Sequence, residues 1–293
     1  MPPPTASKSF CRDGVAPPPL VLTSPALAGA PVAHGFTTRR GGASPAPWDG
    51  LNLSRSVGDD PARVAENEDA LRARLGMPGR PIVTVNQVHG VSVLRVGDDL
   101  AGGGSHDALV TDRPGVLIAV KTADCAPILL WDGRRGAAGA VHAGWRGTAL
   151  KAPAHAVAAM AEAFGSRPED IVAVIGPAIG PCCYRVGPDV VAAFSDAFGA
   201  GRFVSTTREL GAGEGEFTSP QHAGGPGEVS SSAIPRYLDL QEANRQSLVE
   251  AGLRPNQIHA VRLCTACNPR LFFSHRRDGA GRTGRHLAFI CRA

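Results

Sequence analysis

The stretch GVLIAVKTADCAPILLWDGRRGAAGAVHAGWRGT, residues 115–148, decides the fold. Two apolar runs, Gly115–Lys121 and Ala126–Trp131, flank a polar knot at Thr122–Cys125. A third run, Ala137–His142, ends in a Gly-rich turn. Runs this short with turn residues between them read as strands. The connections are too short for helical crossovers, so the strands belong to mixed or antiparallel sheets rather than a doubly wound parallel one.

Working outward, Pro81–Val85 and Val91–Val96 are further strand-like runs around the turn-like Gln87–Gly90. Thr148–Phe164 is Ala-rich and predicts a helix stopped at Gly165, and Pro188–Phe198 predicts another stopped at Gly199. Between them Ile171–Ile175 reads as a strand. Asp239–Ala251 carries the clearest helix signal. Asp239 with Glu242 spells a capping box, Leu240, Ala243, Leu248 and Ala251 share a face, and Gly252 supplies the stop. Ile258–Cys264 and Arg285–Cys291 close the chain as strands. The expected fold is α/β of the α+β type, a single domain of mixed β-sheets flanked by helices. Residues 1–24 read as a disordered Pro-rich arm and 25–293 as the domain, with a Gly-rich surface loop near 206–232.

Composition removes several classes. The chain has 293 residues with 30 basic and 26 acidic side chains, a net charge of +4. That charge is mild and spread along the chain, and aromatic residues are 5%, so no nucleic acid partner is expected. No apolar run approaches the ~20 residues of a membrane span, so no membrane partner is expected either. Prolines at 17, 18, 19 and 25 break any signal-peptide core. Seven cysteines are an odd and sparse set, which points to the reducing cytoplasm rather than a disulfide framework.

Chemistry concentrates in three segments. Asn86-Gln87-Val88-His89-Gly90, Thr122-Ala123-Asp124-Cys125-Ala126-Pro127 and Val141-His142-Ala143-Gly144-Trp145-Arg146-Gly147 each place an imidazole or a thiol at a strand end among turn residues. Two imidazoles and a thiolate form a known open zinc set, with the fourth position left for water. The same residues also read as a nucleophile, Cys125, with His142 as its base. They also read as a buried small residue between two polar loop histidines. The spacings match no local metal motif, so the residues alone leave these readings open.

NQVHG, KTADCAPILL, VHAGWRGT, IGPAIGPCCYRVG, YLDLQEANRQSLVEAG, CTAC and FFSHRRDGAGRTGRH occur in this order. Together with HGFTTRRGGAS and LNLSRSVGDDPARVAENEDAL, they resemble the YfiH/laccase-domain family, also called multicopper polyphenol oxidase-like or peptidoglycan editing factor proteins. The resemblance covers roughly Ala33 to Ala293. It implies a metal site carried by His89, Cys125 and His142, holding zinc or, alternatively, copper. It implies phosphorolysis of adenosine, inosine and methylthioadenosine, with adenosine deamination as a side activity. The partners are then a purine nucleoside and phosphate. The sequence leaves the oligomeric state open. Two alternatives come with the same resemblance: a hydrolase editing peptidoglycan precursors, and a copper-dependent polyphenol oxidase. Nine histidines in all, three of them in matching motifs, are few for a multicopper cluster.

Roles follow from that chemistry. Asp124, beside Cys125, is the nearest carboxylate in sequence for carrying a proton. Arg146, Arg276 and Arg277 are candidates for holding phosphate through charge-assisted bonds. Arg39, Asn52, Gln87 and His275 are candidates for base and ribose. Arg185 stands where the family often has an acidic residue, and His106 is an extra histidine read as a loop residue. Cys264-Thr-Ala-Cys267 reads as structural or pocket-lining, and the adjacent Cys182-Cys183 as reduced thiols rather than a strained disulfide.

Overall fold

Every residue from Ala126 to Asp132 is buried. Side chains alternate across a strand, so such a run needs cover on both faces. In this computed structural model, residues 20–207, 234–279 and 282–293 are described. Residues 1–19 of the arm and most of the Gly-rich loop, 208–233, lie outside them.

In chain order the described elements are β1 (Val21–Leu22), β2 (Val32–Thr37), α1 (Pro61–Arg74), β3 (Ile82–Val83), β4 (Val93–Arg95), β5 (Ala108–Thr111), β6 (Leu117–Thr122), β7 (Ala126–Asp132) and β8 (Ala137–Ala143). Then come α2 (Trp145–Ala149), α3 (Ala152–Phe164), β9 (Ile171–Ile175), β10 (Arg185–Val186), α4 (Pro188–Phe198), β11 (Val204–Ser205) and β12 (Arg236–Leu238). The chain closes with α5 (Leu240–Glu250), β13 (Ile258–Ala260), α6 (His275–Asp278) and β14 (His286–Arg292).

Two larger sheets organise these elements. One has strand order β13-β9-β7-β8-β5-β4, the other β1-β2-β14-β6-β3, and β10-β12-β11 form a small third sheet. Both large sheets are mixed: β7 runs antiparallel to β8 and β9, β13 parallel to β9, and β3 parallel to β6. Alternation assigns the faces. Leu129 and Trp131 of β7 pack with Ile118 and Val120 of β6 and Ala288 and Ile290 of β14, in a core between the two sheets. Ile128 and Leu130 face the other way, onto Ala156, Val157 and Met160 of α3 and Leu248 of α5. Leu117, Ala119, Leu287 and Phe289 turn outward under Leu71 of α1. The result is one α+β domain in which two facing sheets lie between helices.

Three differences from the sequence expectations have local causes. The helix expected over Thr148–Phe164 is two helices. Lys151 takes a left-handed conformation (φ 60°), and Pro153 opens the second helix near its first position. The capping box at Asp239 forms only in half. Asp239 Oδ1 accepts the Glu242 N–H at 2.9 Å, but the Asp239 N–H goes to the Phe203 carbonyl and the Glu242 carboxylate to Arg245 and Arg262. The arm expected through residue 24 joins the fold from Leu20: Val21 and Leu22 pair with Thr37 and Phe36.

Candidate metal centre and its cavity

The β7–β8 register sets Pro127 opposite His142 and Ala126 opposite Ala143. Cys125, one step before β7, is therefore carried to Gly144, one step after β8. The β5–β8 register sets Ala108 opposite Val141, which brings Asp107 beside His142. The His142 N–H donates to the Asp107 carbonyl at 2.7 Å, and its ring Nδ1–H to Asp107 Oδ1 at 2.8 Å. The same carboxylate accepts the backbone N–H groups of Val88, His89 and Gly90 at 3.2, 2.9 and 2.7 Å. One buried aspartate thus folds the 88–90 loop, where His89 sits at φ 61°, over the histidine of β8.

The consequence is a three-donor cluster. One ligand atom each from His89, Cys125 and His142 lies within 4.8 Å of the other two. His89 is exposed, Cys125 half-buried and His142 buried. With Nδ1 committed to Asp107, His142 presents Nε2, an arrangement in which a carboxylate orients a ligating imidazole. Gly144 keeps the space open: a Cβ there would lie 2.6 Å from His89 Nδ1 and 3.1 Å from Cys125 Sγ. The donor set and this cradle fit a soft or borderline cation such as zinc or copper. Burial, together with the His142, Arg146 and His275 charges, holds His89 below the ordinary imidazole range despite Asp107. Burial also disfavours charged His142, but Cys125 and Asp107 outweigh it and push His142 up to about 9. A cation bound there would displace that proton.

The cluster stands in the wall of a cavity of about 760 Å³, within the range of small-molecule sites. Gln87, His89, Asp124, Cys125, His142, His275 and Arg276 all line it. Gln87 is anchored there: its amide donates to the Lys121 carbonyl and accepts the Lys121 N–H. Asp124, at φ 89°, accepts the Thr265 hydroxyl at 2.6 Å and the Arg276 N–H at 2.7 Å. Burial raises its carboxyl above the usual range, against those hydrogen bonds. Arg276 extends over the Tyr184 ring and donates to the Arg185 carbonyl.

The remaining candidates stand elsewhere. Arg146 is exposed on the Trp145 ring beside the cavity. Arg277 spends its guanidinium on the Thr265, Ala266 and Phe272 carbonyls and on Asp278. Arg39 binds Asp49 and the Pro269 carbonyl over the Phe273 ring. Asn52 is fully buried and ties Ser54, Asp59 and the Arg285 N–H together. Arg185 is exposed on β10, outside the cavity lining.

Sequence reasoning passed over Asp107, Lys121, Tyr184 and Arg285. Burial lowers the Lys121 ammonium and the Arg285 guanidinium, and burial pushes the Tyr184 phenol up to about 12. All three line the cavity. The visible signal for Asp107 was an acidic residue at the mouth of the apolar run Ala108–Val110. Its role depends on a pairing 35 residues away.

The family model described as multi-copper polyphenol oxidoreductase laccase matches residues 33–293. A Geobacillus stearothermophilus protein named purine nucleoside phosphorylase YlmD is 38% identical, with 92% of each chain covered. A Deinococcus radiodurans protein named purine nucleoside phosphorylase is 41% identical, again with 92% of each covered. The crystal structure of the Geobacillus YlmD superposes with a TM-score of 0.76 at 37% identity, covering 97% of this chain and 98% of that one. The Bacillus licheniformis YfiH structure gives 0.75 at 36% identity over 89% and 93%. A match running through every strand that builds the cavity, at this identity, leaves one conclusion: the chain belongs to the laccase-like YfiH/YlmD family.

Proposed function

We propose that the protein is a zinc-dependent purine nucleoside phosphorylase, acting on adenosine, inosine and methylthioadenosine, with adenosine deamination as a side activity. The observation that carries this reading is the His89–Cys125–His142 cluster set in the wall of a cavity of about 760 Å³ that Lys121, Arg276 and Arg285 also line. The names of the relatives support the same reaction class.

His89, Cys125 and His142 would hold the ion, which when bound supplies Lewis acidity and acidifies a water for the deaminase reaction. Phosphorolysis needs a dianion held beside the anomeric carbon. Arg276 and Arg285 supply planar donors for it and Lys121 a point charge. Tyr184, kept protonated, offers a hydroxyl donor to the base or the sugar. Asp124 is the group assigned to carry the proton. Its carboxylate already accepts the Thr265 hydroxyl, the Arg276 N–H and the Ser274 hydroxyl, and a carboxylate accepts about four, so capacity remains. Among the described residues a single metal-capable group contains histidine, which disfavours the histidine-rich centre of a polyphenol oxidase.

The test is release of hypoxanthine from inosine, with and without phosphate, by wild type and Cys125→Ala. Phosphate-dependent release that the variant loses is the expected result. No release in either condition overturns the reading and favours an amide substrate of cell-wall type.

A further inference from the structure

Two neighbouring strands deliver a second cluster of metal-ligating side chains. Strands β9 and β13 run parallel, with Ala173 beside Ile258 and Ile175 beside Ala260. Their following loops therefore leave from the same edge of the sheet. The loops stay together: Ala178 bridges to Cys264, the Thr265 N–H donates to the Ala178 carbonyl, and the Gly180 N–H donates to Cys264 Sγ at 3.3 Å. The first loop carries Cys182 and Cys183 on a turn in which the Cys183 and Tyr184 N–H groups close on the Gly180 carbonyl. The second carries Cys264 and Cys267.

All four sulfurs lie within 4.8 Å of one another. Cys267 Sγ stands 3.4 Å from Cys182 Sγ and 3.3 Å from Cys183 Sγ. A tetrahedral zinc ion bound at about 2.3 Å spaces its sulfurs by roughly 3.8 Å, so small side-chain adjustments bring this cluster to a closed coordination set. Cys182 is buried and the other three are half-buried. Gly180 makes the close approach feasible: a Cβ there would lie 3.3 Å from both Cys182 Sγ and Cys264 Cβ.

We infer that Cys182, Cys183, Cys264 and Cys267 form a structural zinc site, separate from the His89–Cys125–His142 cluster. Four thiol ligands with no open position match structural rather than catalytic zinc. On binding, each thiol loses its proton to solvent as its sulfur–metal bond forms, and the site carries a net charge of −2. The Gly180 N–H supplies one donor to that charge. Arg277, whose guanidinium is bonded to the Thr265 and Ala266 carbonyls between the two loop cysteines, supplies a neighbouring cation. The ion would brace one wall of the cavity, because Tyr184 follows Cys183 directly and Thr265, between Cys264 and Cys267, holds Asp124. The inference does not depend on which reaction the cavity performs.

The test uses the full chain, purified with a reductant and without chelator. The Cys125→Ala variant keeps all four cluster cysteines but breaks the other metal set. It is expected to retain about one zinc per chain by elemental analysis. Exchanged for cobalt(II), it should show the intense thiolate-to-metal charge-transfer absorption of a tetrathiolate site. Adding Cys264→Ser and Cys267→Ser to that background should remove both the metal and the absorption, with circular dichroism reporting the fold. Absence of zinc from Cys125→Ala, or cobalt uptake without that absorption, overturns the site. So does a mass showing the cluster thiols lost in pairs to disulfides. Because the single variant leaves the cluster intact, it decides the question even if the triple variant does not fold.

Discussion

Asp107 accepts three backbone N–H groups and one imidazole N–H while fully buried. Burial opposes its charge, but the His142 bond and these N–H groups hold its carboxyl below the usual carboxylate range. It touches no candidate substrate position, so it is a positioning residue. Asp107→Asn keeps the shape but puts an amide where an oxygen accepted N–H groups. Metal affinity should fall roughly 10–100-fold, the usual cost of losing a group that orients a ligating histidine. Competition against a chromophoric chelator measures it, and unchanged affinity would deny Asp107 that role. Gly144 gives a second reading of the same centre. Gly144→Ala should lower metal affinity and activity together with little change in melting temperature, since the added methyl meets His89 and Cys125 rather than the core.

At the scale of elements, α5 carries its own start signal. Asp239 caps it through Oδ1 and pairs with Arg262 through Oδ2. Asp239→Ala should cost about 1 kcal/mol, the typical loss of an N-cap. The exposed pairing with Arg262 adds little to that. A lowered urea midpoint with an unchanged slope is the expected result, and a shift below about 0.3 kcal/mol would argue against the cap. In α1, Asn67 serves another element than its own. Its side chain binds the Ala43 N–H, the Ser44 hydroxyl and the Asn52 carbonyl, pinning the loop over the outer face of the β14 sheet.

For the whole molecule, His286 links stability to pH. Its Nε2 accepts the Phe273 N–H at 3.0 Å, and its ring lies against Phe272 and Phe273. Burial first, then the charges of Arg39, Arg285 and Arg277, lower its pKa to about 3. The unfolded chain takes up a proton near pH 6.5 that the folded chain refuses. The contribution is therefore complete above about pH 6.5 and declines by roughly 1.4 kcal/mol per unit as pH falls toward 3. His286→Gln should flatten the melting-temperature profile between pH 6 and 4, whatever it does to stability at neutrality. Parallel profiles for the two proteins would contradict this origin.

Much of this protein is determined by local sequence. The runs at 117–122, 126–132, 137–143 and 171–175 form strands where their apolar character places them, because a run buried on both faces has no solvated register. Helices α4 and α5 end where glycine permits. The ordered motifs name the family and point to His89, Cys125 and His142. Other features depend on partners far along the chain. The polar α1 shows only a weak apolar stripe, since it covers the outer face of β6 and β14 with few buried side chains, Val64, Asn67 and Leu71, one of them polar. Arg39, Asn52 and Arg277 carry the same functional groups as Arg276 and Gln87, and all five spend donors on backbone carbonyls, but only Arg276 and Gln87 do so from the cavity wall. Asp107 and the four-cysteine cluster follow from strand registers alone: β5 against β8, and β9 beside β13. Sequence determines which groups are present and which segments are apolar. Only the pairing of distant strands decides which of those groups meet, because a donor becomes a ligand only when others stand within a few ångströms of it.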